Sequence, residues 1–299
     1  MTIIIKFNNN ITHTYNNFEE ILILDNYNDI IYIDCCRNNI SNLPELPNSL
    51  THLWCYNNNL SNLPKLPNSL IVLRCSINNL STLPELPNSI TELMCYNNNL
   101  SNLPELPNSL VELYCNHNNL SSLPQLPNSM TELICYNNNL SNLPELPNSL
   151  VELHCNHNNL SSLSELPNSL KLLVCCNNNL SNLPKLPNSL NELYSHKNNL
   201  LSLPKLPNSL IHLNCEYNNL SSLPELPNSL TEFNYYNNPI FTHIEKYFDG
   251  DIMRYNEYHN NIKRKFVNKI GEWFLDCKYN PKYLYCRNRL MKEYEELYT

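Results

Sequence analysis

Leucines in this chain recur with a period of 20 residues, and the polar positions between them keep the same period. The segment Leu43 to Asn62, LPELPNSLTHLWCYNNNLSN, returns at the same length from Leu63, Leu83, Leu103, Leu123, Leu143, Leu163, Leu183 and Leu203. The copy from Leu223 decays after Asn238, and a weaker copy carrying Ile30, Ile33, Cys35, Asn38 and Ile40 precedes the array. Within a unit, Leu53 and Cys55 alternate with His52, Trp54 and Tyr56. That alternation predicts a short strand with one buried face. Asn58 has no apolar explanation, yet its column runs without exception from Asn38 through Asn118 to Asn238. A buried amide must satisfy its donors and its acceptor, so stacked copies are expected to bond loop backbone of their own and neighbouring turns as an asparagine ladder. In Leu63-Pro64-Lys65-Leu66-Pro67-Asn68-Ser69, proline fixes the backbone and pushes its predecessor into an extended form. The back of each unit is therefore predicted to be extended or polyproline-like, with a turn at Asn-Ser and no α-helix.

The core phrase L-x-x-L-x-C-x-x-N-x-L, seen as Leu50, Leu53, Cys55, Asn58 and Leu60, resembles the leucine-rich repeat consensus with Cys at the third aliphatic position. The likeness covers residues 23–240 and implies a leucine-rich repeat solenoid. Its concave face would be one parallel β-sheet of eleven strands, spanning about 50 Å at ~4.8 Å per strand, and its convex side would be extended or polyproline-like. The short unit and its L-P-x-L-P phrase resemble the repeats of bacterial secreted effectors, including the IpaH-type ubiquitin ligases. The segment Trp273 to Leu297 resembles the C-terminal ends of repeat proteins from giant DNA viruses of amoebae (mimivirus-type). One unit cannot bury enough apolar surface to order itself, so stability must come from stacking and from covered ends.

Residues 1–22 are expected to form the N-terminal cap. Ile3-Ile4-Ile5-Lys6-Phe7 and Ile11-Thr12-His13-Thr14-Tyr15 flank Asn8-Asn9-Asn10 and read as a β-hairpin, where the bacterial resemblance would imply helices. Residues 241–299 read as an α-helical C-terminal cap or small docking segment. Thr242-His243-Ile244-Glu245 is a capping-box pattern opening a helix, with Gly250 at its end. Ile262, Phe266, Ile270 and Phe274 carry helical spacing between Asp251 and Lys278. Asn280-Pro281 starts a last helix over 281–298, with Tyr283, Leu290, Tyr294 and Leu297 on its inner face.

Twenty-one prolines against two glycines would suit a disordered chain, but their fixed places among leucines argue for architecture. The formal net charge is -8, with the acidic excess in the repeats. This argues against nucleic-acid binding, which needs a basic surface. Met1 to Asn10 lacks a basic segment followed by an apolar one, and no apolar run approaches a membrane span. Most of the thirteen cysteines stand on one repeat position, from Cys35 to Cys215, like a small core residue. Asn59-Leu60-Ser61, an acceptor pattern for N-glycosylation, also returns repeat after repeat. Free thiols, repeated acceptor sites and no leader favour a reducing compartment. The expected address is the cytosol, that of the host cell under the viral resemblance.

Candidate binding residues are those pointing out of the strands onto the concave face. They are Trp54, Tyr56, Tyr96, Tyr114, Tyr136, His154, Tyr194 and Tyr236, with His196 in the same pattern, beside an acidic column of Glu92, Glu112, Glu132, Glu152 and Glu192, with Glu232. Like charges ~5 Å apart repel, so a basic protein partner is expected, and tyrosines offer large rigid contacts. Solubility alone is the competing explanation for any single Glu. Inward thiols should be protonated and inert, while Cys36 and Cys176 are expected to point outward and be open to oxidation. Cys277 and Cys286 lack finger-spaced partners, and His117 with His157 follows the repeat template. Only Gly250 and Gly271 are available, so a glycine-rich phosphate loop is excluded. The IpaH-type resemblance would imply a ligase with a nucleophilic Cys in a large helical domain. Here Cys277 lies in FLDCK, without that family's Cys-x-Asp pattern, and only a short segment follows the repeats. The expectation is a monomeric, non-enzymatic protein-binding module with no cofactor, metal, nucleic acid or membrane. The alternative is an adaptor, or a ligase-like effector acting through the C-terminal segment.

Overall fold

The computed structural model describes residues 2–258, 260 and 267. They belong to two compact units, Met1–Pro239 and Ile240–Thr299. The first unit opens with strands β1 (Ile3–Phe7) and β2 (Thr12–Tyr15), the short helix α1 (Phe18–Leu22) and a 3-10 turn at Tyr27–Asp29. Strands β3 (Ile30–Asp34), β4 (His52–Trp54), β5 (Val72–Arg74), β6 (Glu92–Met94), β7 (Glu112–Tyr114) and β8 (Glu132–Ile134) follow. β9 (Glu152–His154), β10 (Leu172–Val174), β11 (Glu192–Tyr194), β12 (His212–Asn214) and β13 (Glu232–Asn234) complete the series. The thirteen strands among the described residues form one sheet, in chain order from β13 to β3 and then β1 and β2. The unit is the expected leucine-rich repeat solenoid, with a parallel sheet from β3 to β13.

Register is uniform. Leu53 pairs with Leu73, Leu93 with Leu113 and Leu193 with Leu213, always the same repeat position. The sheet bonds run past each three-residue strand: Cys55 N–H donates to Arg74 O at 2.8 Å and Asn57 N–H to Ser76 O at 2.9 Å. Leu50, Leu53, Cys55 and Leu60 are fully buried, and their counterparts are buried through the repeat that ends at Leu220, while Leu230 and Phe233 in the last repeat are partly exposed. Where the cysteine column is interrupted, Ser195 and Tyr235 take its place and are also buried. The segments after each Asn column carry no regular structure until the Asn-Ser turn, where Leu50 N–H bonds Pro47 O at 3.1 Å. The back of the solenoid is thus extended, as proline dictates.

The ladder has a fixed geometry. Asn118 Nδ2 donates to Cys95 O and Cys115 O at 3.1 Å, and its Oδ1 accepts Leu100 N–H at 3.0 Å. The same three bonds recur at Asn78, Asn138 and Asn158. At the front, Asn38 bonds Thr2 instead, accepting from its N–H at 2.8 Å and donating to its carbonyl at 2.6 Å. The N-terminal hairpin therefore continues the ladder as well as the sheet, with β1 antiparallel to both β2 and β3.

Several features were not anticipated. Helix α1 follows Asn17, whose Oδ1 accepts Glu20 N–H at 2.9 Å while its Nδ2 reaches Glu20 Oε1 at 2.8 Å, a reciprocal cap. Each turn serine forms a second ladder: Ser69 Oγ donates to Leu50 O at 2.7 Å, Ser129 to Leu110 O and Ser149 to Met130 O at 2.6 Å. The residue before every ladder Asn is left-handed, including Asn57, Ile77, Asn97, His117 and Lys197, with φ between 51° and 57° in these five. His117 and His157 occupy this hinge.

The helix after the repeats begins earlier than the capping box suggested, at the last residue of the first unit. Helix α2 spans Pro239–Phe248, so Thr242 lies inside it. Proline, with no N–H to satisfy and φ already helical, is the better first residue. Gly250 closes the helix with φ 76° after Asp249 at 54°. Residues 252–258 are again helical, and Tyr255 packs edge-on to Phe248 at 5.4 Å. The expected continuation to Lys278, the last helix over 281–298, and Cys277 and Cys286 lie outside the described residues.

Two stability outcomes follow. Asn118→Ala leaves the buried Leu100 N–H without a partner and takes one of two amide donors from each of the Cys95 and Cys115 carbonyls, which keep Asn98 and Asn138. It should cost about 2 kcal/mol, whereas Asn119→Ala on the exposed neighbour should cost no more than about 0.5 kcal/mol. Urea unfolding followed by circular dichroism compares them. Ile77→Asn removes a β-branched side chain from a left-handed position and should stabilise by about 1 kcal/mol in the same measurement; an unchanged or lower midpoint would show that the hinge is unstrained.

Candidate functional site

The uniform register turns each outward strand position into a row across the sheet. The first strand residues put Glu92, Glu112, Glu132 and Glu152 on the adjacent strands β6 to β9, each paired directly with the next. Leu172 on β10 interrupts the row before Glu192, and His212 separates Glu192 from Glu232. The third strand residues form a second row: Trp54, Arg74, Met94, Tyr114, Ile134, His154, Val174 and Tyr194. Tyr56, Tyr96, Tyr136 and Tyr236 lie beyond the strand ends, in a third row with His196. The anticipated residues thus occupy three rows of one face. Trp54 and Tyr236 stand at opposite ends, roughly 40 Å apart at the sheet spacing.

At the N-terminal end the face carries its own cluster. Arg74 Nε donates to Glu92 Oε1 at 2.7 Å, and its guanidinium lies 4.6 Å from the centroid of Trp54. Tyr32 meets Trp54 edge-on at 5.2 Å. Tyr32 and Arg74 were missed by sequence reasoning because their significance depends on neighbours 20 residues away. Met94 and Val174 were missed because an aliphatic residue in a three-residue strand looks like core, and Ile134 in the same row is in fact buried. At the far end Phe233 and Tyr235 stack at 4.9 Å.

Electrostatics distinguish the glutamates. Glu92 has Arg74, and Glu192 accepts from the Tyr194 hydroxyl at 3.0 Å with His212 Nδ1 at 3.6 Å. Among the described residues no cation lies within ion-pair distance of Glu112, Glu132 or Glu152. Burial, then the charges of Glu132 and Glu92, push the Glu112 carboxyl above its ordinary range, with Arg74 opposing. Burial and a hydrogen bond to Glu132 push the Tyr114 hydroxyl up. Burial pulls the His154 imidazole down, against Glu152 and Glu132.

The thiols are inert by environment. Burial pushes Cys75, Cys115 and Cys155 up to about 12. Cys176 shares the repeat position of Tyr136 and His196, but the expectation that it is open to oxidation is corrected: it is only 5% exposed. Small residues at this position, such as Ser76 and Asn116, are covered in the same way. Cys36 is half-buried, and burial with a hydrogen bond to Asp34 raises its thiol. His117 packs edge-on to Tyr136 at 5.1 Å. Among the described residues no group of three or more His, Cys, Asp or Glu is placed to hold a metal ion.

No protein-family description matches the sequence, and no curated protein does. Solved structures do. YopM from Yersinia enterocolitica is 38% identical over 70% of this chain, with a TM-score of 0.61. The chain spans 51% of that protein's length. YopM from Yersinia pestis, described as a leucine-rich effector protein, is 34% identical over 67% of this chain and 70% of its own, with a TM-score of 0.51. The leucine-rich repeat domain of APL1B shares the fold at 20% identity and a TM-score of 0.55, covering 67% of this chain and 73% of its own.

The raised Glu112 carboxyl has a definite consequence for stability. Folding disfavours its charged form, so the folded state gains on protonation and loses stability as pH rises through the carboxylate range. Glu112→Gln should therefore melt higher than the parent at neutral pH, with the gap closing as pH falls below that range. Thermal denaturation of both proteins against pH measures it, and a gap that widens on acidification would mean that folding favours the charged form of Glu112.

Proposed function

Because this chain belongs to the leucine-rich repeat proteins, we propose that it is a non-enzymatic protein-interaction module whose concave sheet face takes a basic protein partner. The observation that carries this reading is the unbroken row Glu92, Glu112, Glu132 and Glu152 beside an aromatic and aliphatic row. Three of those glutamates have no ion-pair partner among the described residues. A Lys- or Arg-bearing surface would relieve their mutual repulsion, and Tyr96, Tyr114 and Tyr136 would supply contact area with little rotamer entropy to lose. The description of Yersinia pestis YopM as an effector supports action on another protein. Catalysis has no support in the described residues, where the column thiols are buried and protonated.

A displayed library of random peptides tests the reading without a known partner. Selection on the parent should enrich Lys- and Arg-rich sequences. That enrichment should vanish with Glu112, Glu132 and Glu152 changed to Gln, and weaken with Tyr96, Tyr114 and Tyr136 changed to Ala. Identical enrichment on all three proteins would mean that binding lies elsewhere.

A further inference from the structure

The sheet face between β6 and β9 has a pattern that selects the shape of its occupant as well as its charge. Resting on the binding reading above, we propose that this face docks a basic amphipathic α-helix laid across the strands. Glu92, Glu112, Glu132 and Glu152 begin these strands, and Met94, Tyr114, Ile134 and His154 end them. One acidic stripe thus runs beside one largely apolar stripe, both perpendicular to the strands. Residues two apart on a strand share a face, so a partner meeting both stripes needs a cationic and an apolar stripe side by side along its own length. That is the definition of an amphipathic helix with a basic flank.

The repeat distance supports the same choice. The acidic stripe advances ~4.8 Å per strand, or about 14 Å from Glu92 to Glu152. A helix brings one face round every ~5.4 Å, so its three turns cover about 16 Å. The mismatch is within the swing of a lysine stem. An extended peptide returns to one face only every ~6.7 Å, or about 20 Å over the same three steps, and its last cation falls out of register. Width agrees too: strands of three residues give a strip about 10 Å wide, the diameter of a helix.

The limits of the footprint are set by charge. On β5, Arg74 already neutralises Glu92 at 2.7 Å. On β10, Leu172 replaces the glutamate, with Lys171 just before it. The available negative charge is therefore concentrated at Glu112, Glu132 and Glu152, and within the same footprint Tyr114 is flanked by the half-buried Met94 and by Ile134, which is 8% exposed and forms the floor of the apolar stripe.

Fluorescent peptides titrated into the full-length protein test this by anisotropy at low salt. One carries lysines at i, i+4, i+7 and i+11 with leucines beside them. A second has the same composition with Lys and Leu alternating, the pattern of a strand. Each is measured against the parent, a Glu112→Gln/Glu132→Gln protein, and a Glu85→Gln/Glu105→Gln protein altered on exposed loops of the opposite side. The helical peptide should bind the parent at least about tenfold tighter than the alternating one. It should lose about tenfold on the Glu112/Glu132 variant and keep its affinity on the loop variant. Equal binding of both peptides, still dependent on Glu112 and Glu132, would overturn the helix while leaving the acidic binding face intact. Binding of neither peptide, or binding indifferent to these glutamates, would overturn both.

Discussion

A side-chain amide has two donor hydrogens and one acceptor oxygen, and in this protein nearly every other feature follows from how one column of them is satisfied. Asn118 reaches a carbonyl in its own turn and another in the turn before, and accepts an N–H from that preceding turn as well. Such a residue measures the distance between turns. It holds the strands in register, and it requires the left-handed residue before it to swing the amide inward. Inside a low-dielectric core an unpartnered amide is costly, so the column tolerates no vacancy, and the front of the solenoid supplies Thr2 to complete it.

The parts of this architecture set by one repeat position were legible from residue order alone: the strand, the thiol column, the ladder and the proline-bearing back. What escaped depended on relations between repeats. The turn serine looks complete within its own unit, yet its hydroxyl donates to the preceding one. The left-handed hinge is hidden because Ile77, His117 and Lys197 share no chemistry that announces it, although Asn57, Asn97 and Asn137 do favour that conformation. The start of α2 was misplaced because a capping-box pattern at Thr242 competed with Pro239, and proline at the first helical position is the stronger determinant. Of the site, the acidic column and the tyrosines could be read as a pattern. The Trp54–Arg74–Glu92 cluster could not, since its members sit in three successive repeats.

Placing the binding face on paired strands has an energetic meaning. The side chains that face solvent project from backbone bonded on both sides, so little of their order remains to be purchased when a partner arrives. Tyr194, tied to Glu192 at 3.0 Å, and Arg74, held between Trp54 and Glu92, are already restrained. The same rigidity concentrates like charges that a flexible loop would spread apart, so that the charges of Glu132 and Glu92 add to burial in raising the Glu112 carboxyl.

The constant register, one repeat position always opposite the same position of the next repeat, makes the length of this protein separable from its fold. Each interior repeat offers its neighbours the same amide, serine and backbone contacts on either side. Loss or gain of a whole unit by recombination between near-identical coding segments would therefore rejoin matching surfaces without disturbing the N-terminal hairpin. Change within a unit is constrained by the ladder, whereas change in the number of units is not. Such a lineage can vary the extent of its binding face, and the sequence of charges along it, by rearranging modules rather than by redesigning a core.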